Sequence, residues 1–347
     1  MSHLNSGNLL CQLQHQKSIG AYCLKALLFF LSLFYALVTR IRNSAFDHGW
    51  LLCTKLPVPT IALGNITTGG TGKTPAAIFV IQKLVTLSPR KPVLISRGYG
   101  NDETRLFHDV LPEIPHVINS KRVLAGKEAI RQYGTNICLV LDDAFQHRYI
   151  HRDLEIVLVD ATNPLGFGYT LPRGFLREPA IGLARADLII ITRSDMLSLS
   201  ELAKLSETLQ NYSSAPQIQA VHAPIGFRNL YTNEKMNLGS LKGKKLLALS
   251  AIGNPQSFIY SLQKSHISLM SQLNFSDHHH YTTQDIQRIE QHCLSIKSEG
   301  IVTTAKDAVK LSKLSPFSVP AWIMDIAFQI TQGEELLEKM ICSHAGS

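Results

Sequence analysis

A chain of 347 residues exceeds the ~250–300 at which a single core usually stops growing, so two packed domains are expected. Hydrophobic residues make up 45% and charged ones 17%, enough apolar sequence for a large core, which excludes a disordered or fibrous chain. The 34 Lys and Arg against 26 Asp and Glu leave a formal charge of +8, which favours phosphorylated substrates, an acidic membrane surface or nucleic acid without choosing among them. The six cysteines (Cys11, Cys23, Cys53, Cys138, Cys293 and Cys342) form no C-x-x-C pair. That argues against a disulfide framework or structural zinc and for buried thiols in a reducing compartment.

Residues 21–39, AYCLKALLFFLSLFYALVT, are apolar apart from Lys25 and are followed at once by Arg40 and Arg42. The run has the marginal length of a bilayer span, and the arginines would hold the bulk of the chain in the cytoplasm. No small-x-small site precedes them, which disfavours a cleaved signal peptide. A helix lying in the membrane interface and a buried core helix are the alternatives.

Beyond this segment, apolar runs at 59–63, 93–96, 137–141, 155–160 and 186–192 alternate with helix-like stretches. Such continuous runs read as buried strands of a parallel sheet flanked by helices. Turn-rich sequence at 211–217 and 229–244 interrupts the rhythm. A second series comes after it, with strands at 245–250, 300–304 and 321–328 and helices at 255–263 and 283–298.

Between the first strand and its helix lies Gly64-Asn65-Ile66-Thr67-Thr68-Gly69-Gly70-Thr71-Gly72-Lys73-Thr74. A glycine-rich turn from strand to helix is the setting of a phosphate-binding loop, in which successive backbone N–H groups face phosphate oxygens. Here Thr68, Gly69, Gly70, Thr71 and Gly72 would form the cradle, Lys73 would reach the β and γ phosphates, and Thr74 would place a hydroxyl on Mg²⁺. Thr67 stands where the strict G-x-x-x-x-G-K-[ST] pattern has its first glycine. The apolar run 137–141 ends in Asp142-Asp143, as a strand carrying the metal-associated carboxylates of such a protein should. The pattern predicts ATP and Mg²⁺ as cofactors. Two adjacent aspartates can also simply cap the next helix.

Other segments narrow the choice among phosphate-loop proteins. The loop through Pro75, Ser96-Arg97-Gly98-Tyr99-Gly100, Asp142-Asp143-Ala144-Phe145-Gln146-His147, Leu176-Arg177-Glu178-Pro179 and Asp277-His278 stand in the order and approximate spacing of the tetraacyldisaccharide 4'-kinases of lipid A biosynthesis. The chain closely resembles that family from about residue 36 to its end, with a preceding hydrophobic helix that also looks like the family's. The resemblance implies transfer of the ATP γ-phosphate to the 4'-hydroxyl of a lipid-linked glucosamine disaccharide, at the cytoplasmic face of the inner membrane. It implies an α/β fold: a P-loop NTPase-type parallel sheet with flanking helices, a second smaller α/β lobe and an N-terminal hydrophobic helix. The expected division is an N-terminal segment at 1–45, a P-loop kinase domain at 46–215 and a second lobe at 216–347 whose last residues pack back on the first. The chain departs from the family pattern at Ala144, usually glycine, at Thr104, usually proline, and at Ala305, usually glutamate.

By the same resemblance, Asp102 and His278 map onto the family's catalytic dyad, and Asp142 and Asp143 onto its metal-associated pair. A sugar hydroxyl is a poor nucleophile at neutral pH, so a base near the acceptor is required besides phosphate neutralisation. The expectation is that Asp102 and His278 come from opposite lobes and meet on closure. Arg97, Tyr99, Glu103, Arg122, Gln146, His147, Arg177 and Glu178 are candidate acceptor-binding residues, the arginines suited to phosphate. The expected partners are the lipid-linked disaccharide and a membrane surface, with no nucleic acid and no obligate protein. Three competing readings fit less of the sequence. A membrane-associated switch ATPase leaves the second lobe without a task, a nucleic-acid binder lacks a basic module, and a metal hydrolase lacks zinc spacing in His278-His279-His280.

Overall fold

The computed structural model describes residues 13, 16, 18–98, 101–277 and 279–346, with the backbone alone at 101–103. The chain divides into two compact units that are not contiguous in sequence. Among the described residues, the first comprises those from 13 to 98, Val110–Val221 and 330–346; the second comprises 101–109 and His222–Gln329.

The first unit begins with α1 (Ile19–Asp47), where the Ser18 hydroxyl accepts from the Ala21 N–H at 3.2 Å. At 29 residues α1 runs well past the apolar segment, through both arginines. One stripe of it is fastened to the unit: the Phe29 ring meets Tyr169, the Ser32 carbonyl accepts from Thr170, and Arg148 binds the Asn43 carbonyl and Asp47. The opposite stripe, Phe30, Phe34, Leu37, Val38 and Ile41, is exposed. A wholly buried core helix is therefore ruled out.

Six strands come next: β1 (Thr60–Asn65), β2 (Lys91–Ser96), β3 (His116–Ile118), β4 (Ile137–Leu141), β5 (Leu154–Asp160) and β6 (Leu188–Thr192). They lie parallel in the order β3-β2-β4-β1-β5-β6. Every residue of β1, β4, β5 and β6 is buried, which is why these strands read as apolar runs, interrupted in β5 by the buried Glu155. Of the helices, α2 (Lys73–Leu87) packs on β1 and β2, while α4 (Arg122–Tyr133) sets Ala125 and Ala129 against Ala62, Ile95 and Leu139. Leu202, Leu205 and Leu209 of α5 (Leu199–Gln210) join Val157, Val159 and Ile189. The last helix, α9 (Glu334–Ala345), returns to α2, where Lys83 pairs with Glu334 and Glu338 at 2.5 and 2.6 Å.

The second unit holds α3 (Asn101–Val110) together with the later strands. Its strands β9 (Lys245–Ser250), β10 (Ser268–Asn274), β11 (Gly300–Thr304) and β12 (Ala321–Gln332) are parallel in the order β10-β9-β11-β12. β7 (Gln217–Asn229) lies beside β12 and carries β8 (Lys235–Met236) antiparallel on its far end. Because side chains alternate across a strand, Leu247, Leu249, Ile301 and Ile323 join Ile286, Ile289 and Cys293 of α7 (Thr283–Ser295) and Leu311 of α8 (Ala305–Leu311). Leu246, Ala248, Val302, Trp322 and Met324 form a separate cluster with Phe258 and Leu262 of α6 (Pro255–Lys264).

Cys138 and Cys293 are the buried thiols expected from sequence, and burial pushes the first up to about 12 and the second up to about 11. Cys23, Cys53 and Cys342 are instead exposed on the surface, and no disulfide joins the described cysteines. Apolar neighbours in sequence do not bury a residue on the outward stripe of a docked helix, which is where Cys23 sits.

Candidate active site

β1 and β4 are adjacent and parallel, with Ala62 beside Leu141, so the segments that leave the two strands emerge at one carboxyl edge of the sheet. After β1 comes the glycine-rich loop; after β4 come Asp142 and Asp143. Asp143 takes a left-handed backbone at φ 49°, and the chain then crosses over β1, with the Ala144 N–H bonding the Leu63 carbonyl at 3.0 Å. That crossing requires Gly64: a Cβ there would lie 2.6 Å from the nitrogen and Cβ of Phe145.

The loop is held from outside. Asn65 donates to the Thr67 carbonyl at 2.6 Å, the Thr68 N–H bonds the Phe175 carbonyl at 2.7 Å, and the Arg177 N–H bonds the Ile66 carbonyl at 2.8 Å. Gly72 closes it in a left-handed conformation at φ 87° as the N-cap of α2. No side chain caps α2 and no acidic residue occupies its first turn, so its first N–H groups and the positive end of its dipole face the loop. An anion is the natural complement of such a terminus.

Lys73 and Arg177 converge on Asp143, at 3.6 and 2.8 Å. Burial by itself would raise the Asp143 carboxyl, but Lys73, Arg177 and Arg122 outweigh it and hold the group below the usual carboxylate range. Gln146 ties this cluster together: its Nε2 donates to the Asn65 carbonyl at 2.9 Å and to Glu178 at 3.1 Å, while its Oε1 accepts from Arg177 at 3.4 Å. Glu178 is buried, with Asn43 of α1 at 2.6 Å and Arg185 at 2.8 Å on its carboxylate. Tyr35 donates to the Arg177 carbonyl at 3.0 Å and Arg42 to the Gln146 carbonyl at 2.8 Å.

Among the residues expected from sequence, the phosphate loop, Lys73, Asp143, Gln146, Arg177 and Glu178 are thus brought together. Arg122, at the start of α4, turns inward and donates to the carbonyls of Asn119 and Asp142, both at 3.0 Å. Arg97 is exposed at the end of β2. Asp102 and Glu103 fall in the first turn of α3, and their side chains, like Tyr99, Gly100 and His278, lie outside the described residues. Residues 101–109, which carry Asp102, group with His222–Gln329 rather than with the strands of the first unit. Beside His278, Asp277 pairs with Lys306 at 3.1 Å, and His279 with Asp285 at 3.1 Å. No sequence motif points to Tyr35, Arg42, Asn43 or Arg185. The polar residues at helical spacing in 35–43 are a legible signal of a docked face, masked by the hydropathy of their neighbours.

His147 is half-buried, and burial, followed by the cations of Arg122, Arg152, Arg42 and Arg97, lowers its imidazole to about 4. The ring is therefore neutral at pH 7, able to donate at one nitrogen and accept at the other. Because the folded value lies below the unfolded one, its contribution to stability is full above about pH 6.5 and is lost as pH falls toward about 4. In an NMR titration His147 should shift only near the lower value; a midpoint near that of a free imidazole would overturn the assignment.

Comparison with known proteins places this arrangement. The family model for tetraacyldisaccharide-1-P 4'-kinase matches residues 24–106 and 100–345. A tetraacyldisaccharide 4'-kinase from Syntrophus aciditrophicus is 34% identical over 329 residues, covering 86% of this chain and 87% of that protein. One from Halothermothrix orenii is 33% identical over 328 residues, covering 84% and 85%. Among solved structures, LpxK from Aquifex aeolicus in complex with ATP superposes with a TM-score of 0.71 at 25% identity, covering 93% of this chain and 99% of that one. A family match across nearly the whole chain, joined to a phosphate loop beside a paired aspartate, means that the chain belongs to the tetraacyldisaccharide-1-P 4'-kinase family.

Proposed function

We propose that the protein transfers the γ-phosphate of ATP to the 4'-hydroxyl of a tetraacylated glucosamine disaccharide 1-phosphate in lipid A biosynthesis. The observation that carries this reading is the convergence of Lys73 and Arg177 on Asp143 beside the uncapped start of α2. Phosphoryl transfer depends on positioning and on neutralising charge at the moving phosphoryl group. Lys73 and the α2 N–H groups would serve the phosphates, and Arg177, paired with Asp143, is the arginine assigned to the γ-phosphate.

The oxygen-only donors Thr74, Asp142 and Asp143 suit Mg²⁺, and Asp143 is held ionised. No cluster of three or more His, Cys, Asp or Glu side chains suited to a metal occurs among the described residues. Such a site would hold the cation by one or two carboxylates plus substrate phosphates. When bound, Mg²⁺ would neutralise charge on the phosphates. On the acceptor side, Asp102 with His278 takes the proton of the 4'-hydroxyl as its oxygen attacks the γ-phosphorus and ADP departs. Arg97, Tyr99, Glu103, Arg122, Gln146, His147, Arg177 and Glu178 remain the residues assigned to holding or orienting the acceptor. Of these, Arg122 and Glu178 act through the groups they position, because both are buried against protein partners.

The cytoplasmic face of the inner membrane is the site of action, reached through α1 lying in the interface. The stretch from Phe29 to Asp47 is fastened to the first unit, leaving only residues 19–28 of the helix ahead of it, ~15 Å at 1.5 Å per residue against a ~30 Å hydrocarbon core. Although the whole 29-residue helix is long and apolar enough to cross a membrane, its fastening along one stripe favours the interfacial reading. Burying each of Phe30, Phe34, Leu37 and Ile41 would contribute about 1.5–3 kcal/mol, enough in sum to hold the protein at a bilayer surface.

Incubation with γ-labelled ATP, Mg²⁺ and a monophosphorylated lipid disaccharide should place label on the lipid. Label appearing only as free phosphate, unchanged by acceptor, would replace this reading with a switch ATPase. Replacing Phe30, Phe34, Leu37 and Ile41 by serine should weaken recovery on vesicles, whereas removing residues 1–28 should leave transfer to detergent-dispersed acceptor within about threefold. Removal through residue 47 also deletes Arg42 and Asn43, and should cost tenfold or more, at about 1.5–3 kcal/mol per hydrogen bond to a charged group. Equal transfer by the two truncated proteins would show that α1 does not support the site.

A further inference from the structure

We infer that Arg193 and Thr192, at the end of β6, are positioning residues that set the inner face of the phosphate loop. Neither belongs to the groups assigned above to phosphate, metal or acceptor. β6 lies beside β5, with Thr192 paired to Asp160, so both strand ends reach the loop that leaves β1. The buried Thr192 hydroxyl donates to the Thr71 carbonyl at 3.0 Å, and Arg193 Nη2 donates to the Gly70 carbonyl at 2.6 Å. Arg193 Nη1 is ion-paired with Asp160, and both side chains are buried. The other Asp160 oxygen accepts from the N–H and hydroxyl of Thr162 at 3.0 and 2.7 Å, which fixes the carboxylate that fixes the guanidinium. Arg193 itself takes a left-handed backbone at φ 56°, uncommon for a residue with a long side chain, and this aims it back over the loop.

In a trans peptide the C=O and the next N–H point in opposite directions. Holding the Thr71 carbonyl outward on Thr192 turns the Gly72 N–H inward, and holding the Gly70 carbonyl on Arg193 fixes the preceding peptide. The Gly72 N–H is the one a phosphate would use, the Thr71 N–H being bonded to the Gly69 carbonyl at 3.0 Å, so the brace works by orientation. Its charge is already neutralised by Asp160. A planar guanidinium grips the carboxylate and the carbonyl along two fixed N–H directions, whereas a lysine ammonium presents its three donors from one compact centre on a flexible stem.

The inference rests on residues 64–74 binding the phosphates of ATP, and the test separates the two. ATP affinity by calorimetry, melting temperature and the KM for acceptor would be measured for Arg193→Met, Arg193→Lys, Thr192→Val and Thr192→Ser, with Lys73→Ala as control. Arg193→Met and Arg193→Lys should weaken ATP about tenfold or more, and Thr192→Val severalfold, with acceptor KM within about twofold of wild type. Thr192→Ser, which keeps the hydroxyl, should restore binding. If Arg193→Met fails to fold, the nearly isosteric Thr192→Val decides. A purely structural role would lower the melting temperature while folded protein bound ATP as wild type does. Wild-type ATP affinity in folded Arg193→Lys and Thr192→Val would overturn the brace. If Lys73→Ala weakens ATP in that case, only the brace fails; if it too binds normally, the phosphate-loop assignment fails with it.

Discussion

Lys73→Ala is expected to lower kcat by about 10²-fold or more, because a fixed charge at the transferring phosphoryl group contributes several kcal/mol that water cannot replace in a preorganised site. The structure adds a second loss. Lys73 is the foremost of the cations that keep Asp143 ionised against burial, so its removal lets that carboxyl rise toward its ordinary range. Asp143 would retain Arg177 at 2.8 Å, and activity should therefore recover partly with rising Mg²⁺. Thr74→Ala removes only the hydroxyl offered to Mg²⁺, and should raise the Mg²⁺ requirement at least as much as it lowers the maximal rate. Measuring kcat against Mg²⁺ separates the two substitutions. Near-normal turnover in both would mean that the glycine-rich segment is a turn with no role in transfer.

How much of the fold is legible in the sequence depends on burial. β4 and β11 occupy the expected residues because both lie inside a sheet covered on both faces, where apolar residues dominate and the buried Thr303 hydroxyl bonds the Leu249 carbonyl. β10 carries no such signal: at the edge of its sheet its residues are alternately exposed and half-buried, and Ser268, Ser271 and Gln272 break any apolar run. β7 is hidden because only stretches of it are buried, between two turn-rich segments that dominate the local pattern. Chain order also hides the division of the molecule. Nothing in the local pattern of 100–109 says that this ten-residue helix belongs with strands more than a hundred residues later, since that depends on tertiary packing.

The site shows the same limit. Spacing locates the phosphate loop and the aspartate pair, because adjacent parallel strands carry them to one edge, but it cannot say which charged residues face substrate and which face protein. Glu178 is marked by motif alone, and its carboxylate is occupied by Asn43, Gln146 and Arg185. Hydropathy reads residues 21–39 as membrane sequence, whereas Tyr35 in that run serves the Arg177 backbone on its other side. A helix docked on a protein along one stripe and on lipid along another has apolar side chains on both, so average hydropathy cannot separate them.

The placement of Asp102 changes what its substitution should reveal. α3 carries it in the unit that also contains the segment around His278, so a working pair there need not await closure, and its coupling should be present before ATP binds. General base catalysis contributes about 10²–10⁴-fold, and Asp102→Ala and His278→Ala should each lower kcat within that range while ATP affinity stays near wild type. Residues acting as one unit are strongly non-additive, so the double variant should be little worse than the worse single one. Two independent contributors would multiply their losses instead. If the pair forms within one unit, the pH dependence of kcat/KM for acceptor, which reports the free enzyme, should show the same base as that of kcat. A base visible in kcat alone would mean that the pair assembles only in the ternary complex. Wild-type kcat in either single variant, or losses matched by a fall in melting temperature, would remove Asp102 and His278 from the reaction altogether.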